Sequence, residues 1–290
     1  MIIISLGNSD KLAKSLALKL KAKYSKLLID KFPDGDIYLK YMVNVKNETV
    51  ILVHSFQPNP NQSLINLVFA AETARDLGAK KVILVAPYLA FMRQDKRFNP
   101  GEAVSSKIMA KWLGSCVNKI ITIDTHLHRF RTLDKLFSIP AVNLSANKLI
   151  AACVKKFNHP FLMGPDWESS QWARRIANQI GADSAILEKT RHHARKVTVR
   201  LTEKANFKNR NIVIIDDIIS TGHTVIEAAK LAKRLGAKSV TAIAVHGIFT
   251  EQAYEKLKKA GINKIVTANT ILHRSNNLDV SSLLAEELRN

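Results

Sequence analysis

Cysteine is scarce in this chain of 290 residues, which has two, Cys116 and Cys153. Both fall in helix-like stretches with no ligand-spaced Cys or His around them. That argues against a disulfide scaffold and a zinc site, and both read as core residues. Long hydrophobic runs are absent: no stretch approaches the roughly 18 apolar residues of a membrane helix. The first residues, MIIISLGNSD, have no basic start before their apolar stretch, so no secretory leader is expected. The chain is read as soluble and cytoplasmic, without a membrane partner. Aromatic residues are few, at 7%, and are seldom interleaved with basic ones, which counts against a base-stacking surface for nucleic acid.

Acids are outnumbered. Forty-four Lys and Arg against 24 Asp and Glu give a formal net charge of +20, enough to draw phosphorylated ligands or nucleic acid over long range. The basic residues are spread along stretches such as KLAKSLALKLKAKYSK and EKLKKAGINK, the pattern of a generally basic, solvated surface. A nucleic-acid partner is therefore not expected. Hydrophobic residues, at 47%, suffice for folded cores, and the length suggests two domains.

Short runs rich in Val and Ile, among them IIISL, VILVHS, KKVILVAP, NKIITID, NIVIID and SVTAIAV, alternate with amphipathic stretches of helical length. This alternation predicts α/β units with mainly parallel sheets, and the continuous apolar character of the strands predicts helices on both faces. Ligands then belong at the C-terminal ends of the strands. An internal repeat supports the domain count: residues 70–82, AAETARDLGAKKV, align without gaps to 228–240, AAKLAKRLGAKSV, with eight of thirteen positions identical at an offset of 158. Gly78 and Gly236 are placed as helix C-caps, and a preceding VILV at 50–53 matches IVII at 212–215. Duplication of one α/β domain explains both matches. The boundary is expected near 141–147, giving domains 1–143 and 144–290.

The two copies diverge after the matching strand. The first continues HSFQPNPNQ and the second DDIISTGHT, so the acids and small hydroxylated residues belong to the second. In Ile212 to Thr224 a hydrophobic strand is expected to end in Asp216 and Asp217. Ser220, Thr221, Gly222, His223 and Thr224 then wrap into the next helix. Exposed N–H groups, hydroxyls and the positive end of a helix dipole suit a phosphate monoester. The two acids have no charge partner nearby in sequence, which leaves sugar hydroxyls or a hydrated cation as partners.

IIDDIISTGHT resembles the ribose-5-phosphate and phosphoribosyl pyrophosphate loop of the phosphoribosyltransferase fold. Further segments resemble, in order, motifs of the ribose-phosphate pyrophosphokinase family: KFPDGDIYLK, PYLAFMRQDKRFNPGEAVSSK, DTHLHR, GPDWESSQWARRIA and EKTRHHARKV. The resemblance implies two duplicated phosphoribosyltransferase-like domains. It also implies transfer of the β,γ-diphosphoryl group of Mg-ATP to the anomeric hydroxyl of ribose 5-phosphate. Phe32 would lie against the adenine, in a turn with Gly35, while Asp34 and Asp36 accept hydrogen bonds from the nucleotide; the family usually has Glu where Asp36 stands. Arg93, Gln94 and Arg97 would meet ATP. The resemblance assigns Mg²⁺ to His126 and Asp166, catalysis to Lys189 and Arg191, and ribose 5-phosphate to Arg191, Asp216, Asp217 and residues 220–224. It gives His128 no role. It also implies a homo-oligomer, in which the Phe32 hairpin completes a neighbouring subunit's ATP site.

Two local readings depart from that pattern. Trp167, Glu168 and Ser169 replace the family's small Ala-Gly-Gly, and Glu168 is expected to cap the following helix. The basic stretch EKTRHHARKV, between two strands, reads as a hairpin with a mobile tip and with Lys189 and Arg191 at its base. Two alternatives to the enzyme are a phosphoribosyltransferase consuming phosphoribosyl pyrophosphate, and a catalytically silent regulatory paralogue. The first would need neither a duplicated domain nor the Lys189 loop, and the second would be expected to have lost Lys189, Arg191 or the acids.

Overall fold

The apolar runs form strands, and the chain divides into two compact units in a computed structural model. The structure describes residues 1–127, 132–193, 196–201 and 206–290, leaving aside the side chains of 168, 188–193 and 196–201. One unit comprises Met1–Ser145, Thr270–Leu272 and Val280–Asn290; the other comprises Ala146–Asn269 and His273–Asp279. The last eleven residues, assigned from sequence to the second domain, thus pack in the first unit.

The first unit runs β1 (Ile2–Ser5), α1 (Asp10–Leu20), β2 (Lys23–Lys31), β3 (Ile37–Tyr41), β4 (Thr49–Val53), α2 (Pro60–Asp76), β5 (Lys81–Ala86), α3 (Ser105–Cys116), β6 (Lys119–Ile123) and β7 (Ala141–Leu144). Its sheet has the order β3-β2-β1-β4-β5-β6-β7, parallel throughout except for the β2–β3 hairpin. The strands β1, β4, β5 and β6 are buried almost end to end. Right-handed crossovers put α1 on one face and α2 and α3 on the other, because the chain steps from β1 to β2 in one direction and from β4 to β6 in the opposite one. Strand β2 outruns the parallel sheet: residues 23–26 pair with β1, while 27–31 pair with β3. The hairpin therefore projects by five residues, roughly 17 Å at 3.4 Å each.

The second unit runs α4 (Asn147–Val154), β8 (Pro160–Met163), α5 (Trp167–Ile180), β9 (Asp183–Ala185), β10 (Leu187–His193), β11 (Lys196–Leu201), β12 (Asn211–Ile219), α6 (His223–Arg234), β13 (Ser239–Gly247), α7 (Ala253–Lys259), β14 (Lys264–Ala268) and β15 (Asn276–Leu278). Its six-stranded sheet, β15-β14-β13-β12-β8-β9, is wholly parallel, and β10–β11 is a separate antiparallel ribbon. The core gathers Phe161, Met163, Ile212, Ile214, Val225, Ala228 and Val240, with the Phe161 and Phe207 rings 4.9 Å apart edge to face. The final helix, α8 (Ser281–Arg289), lies beside α1 in the first unit, where Arg289 donates to the Lys19 carbonyl at 2.8 Å.

The duplication is written in hydrogen bonds as well as in letters. Gly78 and Gly236 follow α2 and α6 with φ of 82° and 85°, and each carbonyl accepts a bond from an asparagine, Asn47 N–H at 2.8 Å and Asn209 N–H at 3.0 Å. Both asparagines are left-handed, with φ of 62° and 61°. Each ends an Asn-x-Lys-Asn turn, in which Asn44 Oδ1 accepts from Lys46 N–H at 2.9 Å and Asn206 Oδ1 from Lys208 N–H at 3.0 Å. The variable residues of these turns, Val45 and Phe207, are both buried. Two strands further on the match recurs: Asn118 Oδ1 accepts from Val82 N–H and Asn263 Oδ1 from Val240 N–H, each at 2.8 Å. A Cβ on Gly78 or Gly236 would meet no atom closer than 3.4 Å, so an alanine there is opposed by its backbone conformation rather than by space. Gly78→Ala and Gly236→Ala should each cost about 1–2 kcal/mol, the penalty for an L residue in the left-handed region. Urea denaturation checks this, and similar losses in the two variants are the expected outcome.

Candidate active site

In the second unit the strand expected to end at Asp216 and Asp217 continues to Ile219, because β13 is equally long and keeps pairing, Ile218 with His246 and Ile219 with Gly247. The acids therefore sit within the last four residues of a central strand. Gly222, with φ of 75°, turns the chain into α6, whose first residue is His223. The first N–H groups of such a helix lack intrahelical partners and can meet an anion. Ser220 and Thr221 are half-buried in the turn, as is Thr224 one residue into the helix, and His223 is exposed. The turn is braced from β13's end: Ile248 and Phe249 N–H donate to the Ile219 carbonyl, and the Ser220 and Thr250 hydroxyls are 3.3 Å apart.

Asp216 is buried, and its Oδ1 accepts from the Ser169 hydroxyl at 2.7 Å and from Asp217 N–H at 3.1 Å. Burial, followed by the charges of Asp217 and Asp166, pushes its carboxyl well above the usual carboxylate range. The second unit thus brings Asp166, Asp216 and Asp217 together. Asp166 caps α5: its carboxylate accepts from Ser169 N–H at 3.0 Å, while the side chain of Glu168, expected to cap this helix, lies outside the described ones. Aspartate suits that position because its short side chain reaches back to the third helical N–H. Gly164 makes the approach of β8 to α5 possible, since a Cβ there would lie 2.0 Å from the Ser170 nitrogen. Ser170 ties the same helix to both sides, donating to the Gly164 carbonyl at 3.1 Å and accepting from Leu187 N–H at 3.1 Å.

That last bond fixes the start of β10, the strand that carries Lys189 and Arg191. Their backbones pair with Val199 and Val197 of β11, while their side chains lie outside the described ones. Residues 194 and 195 also lie outside the described residues, as does His128.

In the first unit Arg93, Gln94 and Arg97 follow β5, and His126 follows the neighbouring β6. Gln94 is engaged with the start of α3: its side chain accepts from the Ser105 hydroxyl and its carbonyl from the Ser106 hydroxyl and N–H. Arg93 is exposed, and Arg97 Nε donates to the Glu102 carbonyl at 2.8 Å. His126 is half-buried, two residues after Asp124, which has a φ of 37°. Phe32, Asp34, Gly35 and Asp36 form the turn of the projecting β2–β3 hairpin. There Phe32 N–H donates to the Asp36 carbonyl at 2.8 Å, and the exposed Phe32 ring meets Tyr38 edge to face. Three strand steps separate β2 from β5, roughly 14 Å across the sheet at 4.8 Å each. His126 and the Arg93 segment thus follow neighbouring strands, while the hairpin extends from a strand three steps from β5. Among the described residues, no three His, Cys, Asp or Glu side chains are grouped to hold a metal.

One buried residue escaped the sequence reading. Counting from VILV and IVII, His54 stands where the second copy has Asp216. It is buried against Phe56, with ring centroids 5.6 Å apart, and its two ring nitrogens have no hydrogen-bond partner among the described residues. Phe56 in turn meets Phe91 edge to face, so packing fills the region after β4 where the second unit keeps polar groups.

Residues 1–116 match a family model described as the N-terminal domain of ribose phosphate pyrophosphokinase, and residues 132–280 match one described as a phosphoribosyl transferase domain. The chain is 36% identical over 272 residues to a ribose-phosphate pyrophosphokinase of Saccharolobus solfataricus, covering 91% of this chain and 90% of that protein. It is 32% identical over 289 residues to one of Methanothermobacter thermautotrophicus, covering 99% and 100%. In fold it is similar to the crystal structure of phosphoribosylpyrophosphate synthetase from Mycobacterium smegmatis, with a TM-score of 0.86 at 23% identity over 99% of this chain and 97% of that one.

Burial pushes the His54 imidazole down to about 4, against a smaller opposing effect of the Ser63 backbone. A histidine with a depressed folded-state pKa contributes stability that is fully present above about 6.5 and lost as pH falls towards 4, because the unfolded chain takes up the proton first. His54→Gln should therefore flatten the loss of stability between pH 6.5 and 4 by about 3 kcal/mol. Denaturant titrations of both proteins across that range check it.

Proposed function

Because the chain belongs to the ribose-phosphate pyrophosphokinase family, we propose that it transfers the β,γ-diphosphoryl group of ATP to ribose 5-phosphate, giving phosphoribosyl pyrophosphate and AMP. The anomeric oxygen bonds to the β-phosphorus while the bond from that phosphorus to the α,β-bridging oxygen breaks. The observation that carries this reading is the end of β12, where a buried carboxylate precedes a hydroxylated turn at a helix N-terminus. Asp216 and Asp217 accept from the ribose hydroxyls. The 5-phosphate is held by residues 220–224, where N–H groups, hydroxyls and the helix dipole favour a phosphate dianion.

On the first unit Arg93 and Arg97 offer cations to the nucleotide, and Gln94 orders the segment that presents them. Magnesium fits this chemistry because Asp166 supplies a carboxylate oxygen, and the ion keeps several waters and takes further oxygens from ATP. When bound it would neutralise phosphate charge, with Asp166 and His126 as its protein ligands. Lys189 and Arg191 bring positive charge to the transferred group and the departing AMP, where charge builds up in the transition state. The projecting Phe32 hairpin serves the ATP site of a second copy, since its own sheet carries it away from Arg93.

Incubation with ATP, Mg²⁺ and ribose 5-phosphate should yield AMP that requires the sugar phosphate; its absence across phosphate and metal conditions would overturn the assignment. Lys189→Ala should lower kcat by about 10²–10³ while leaving both Michaelis constants within a few fold, the pattern of a contact made in the transition state. Raised Michaelis constants with kcat intact would make the ribbon a binding lid instead. Mixing Asp34→Ala chains with Lys189→Ala chains should restore part of the activity, and a fully active monomer would refute the shared site.

A further inference from the structure

Asp216 is presented by a bond that crosses from another element. The N-cap carboxylate of Asp166 holds the Ser169 N–H, and the hydroxyl of the same serine crosses to Asp216 Oδ1 at 2.7 Å. Asp217 N–H reaches that same oxygen at 3.1 Å. Both donors thus meet Oδ1, and the Asp217 side chain also bonds to the Asp216 carboxyl. Ser169 is itself buried. Its helix is fastened by Ser170 to the Gly164 carbonyl and to Leu187 N–H, so the hydroxyl is delivered from a fixed backbone.

We propose that Ser169 is a positioning residue for the sugar, orienting the Asp216 carboxyl group towards the ribose hydroxyls. The inference rests on the ribose 5-phosphate reading of the β12 turn. Without the serine donor the carboxyl group would lose the one bond that reaches it from α5, and its contacts would come from Asp217. A donated bond also favours the ionised, accept-only form of the acid. The serine therefore offsets part of the opposing influence of burial and of Asp166 and Asp217.

The test compares Ser169→Ala, which removes the donor, with Ser169→Thr, which keeps it. Ser169→Ala should raise the Michaelis constant for ribose 5-phosphate about ten- to hundredfold, the effect of one hydrogen bond to a charged group. The constant for ATP should stay within about twofold, and Ser169→Thr should restore the sugar constant to within about threefold of the parent. Should the alanine variant be unstable, Ser169→Cys, close in size but a weak donor, gives the same comparison. Equal changes for both substrates, or an unchanged sugar constant, would overturn the positioning role, as would failure of a folded threonine variant to recover. Calorimetry of the unaltered protein with ribose 5-phosphate separates the two levels. No binding there would overturn the reading of the turn itself, whereas binding that Ser169→Ala leaves unchanged would overturn the serine's role alone.

Discussion

A carboxylate withdrawn from water beside two others is an unfavourable arrangement, and much of the second unit is organised around making it tolerable. Asp216 cannot leave its place, because it lies in a central strand paired on one side through Asp216 and Ala244. Its charge is opposed by burial and by Asp217 and Asp166. The countermeasures come from elsewhere in the chain: a serine hydroxyl, a neighbouring N–H, and a helix start held by Asp166. Such a group favours partners that bring hydroxyl donors or positive charge, so the free site is held in readiness for them.

The first unit shows what the same scaffold becomes without that requirement. At the corresponding position, just after β4, it has a buried histidine whose imidazole is pushed down by burial, followed by a phenylalanine packed in the interior. The strands, the glycine after the helix and the asparagine turn are kept, whereas the segment between strand and helix is replaced. The framework and the segment that differs between the copies are thus physically separable in this fold, the framework residing in backbone hydrogen bonds.

Much of this was legible in the letters. Strands with continuous apolar character, Gly78 and Gly236 after their helices, and the polar turn after IVII all announce themselves locally, because each depends on near neighbours in the chain. The fuller extent of the repeat was hidden by arithmetic. The Asn-x-Lys-Asn turns match at an offset of 162 and the helix ends at 158, since the first copy is four residues longer between them. Other features are nonlocal and left no periodic trace. The Ser169 hydroxyl finds Asp216 47 residues away. That Asp166 holds the cap of α5 shows only in the backbone around it. The continuation of β12 past its acids depends on the length of a partner strand, which no window around Asp216 reveals.

The return of α8 to the first unit bears on how the protein is made. Synthesis proceeds from the first residue, so the sheet from β1 to β7 can assemble while the second half is still being translated. Helix α1, which buries Leu12 and Leu16 inward, then has no α8 beside it, for residues 281–289 emerge after every element of the other unit. Helix α1 thus gains its neighbour α8 only after every strand of the second unit has been made.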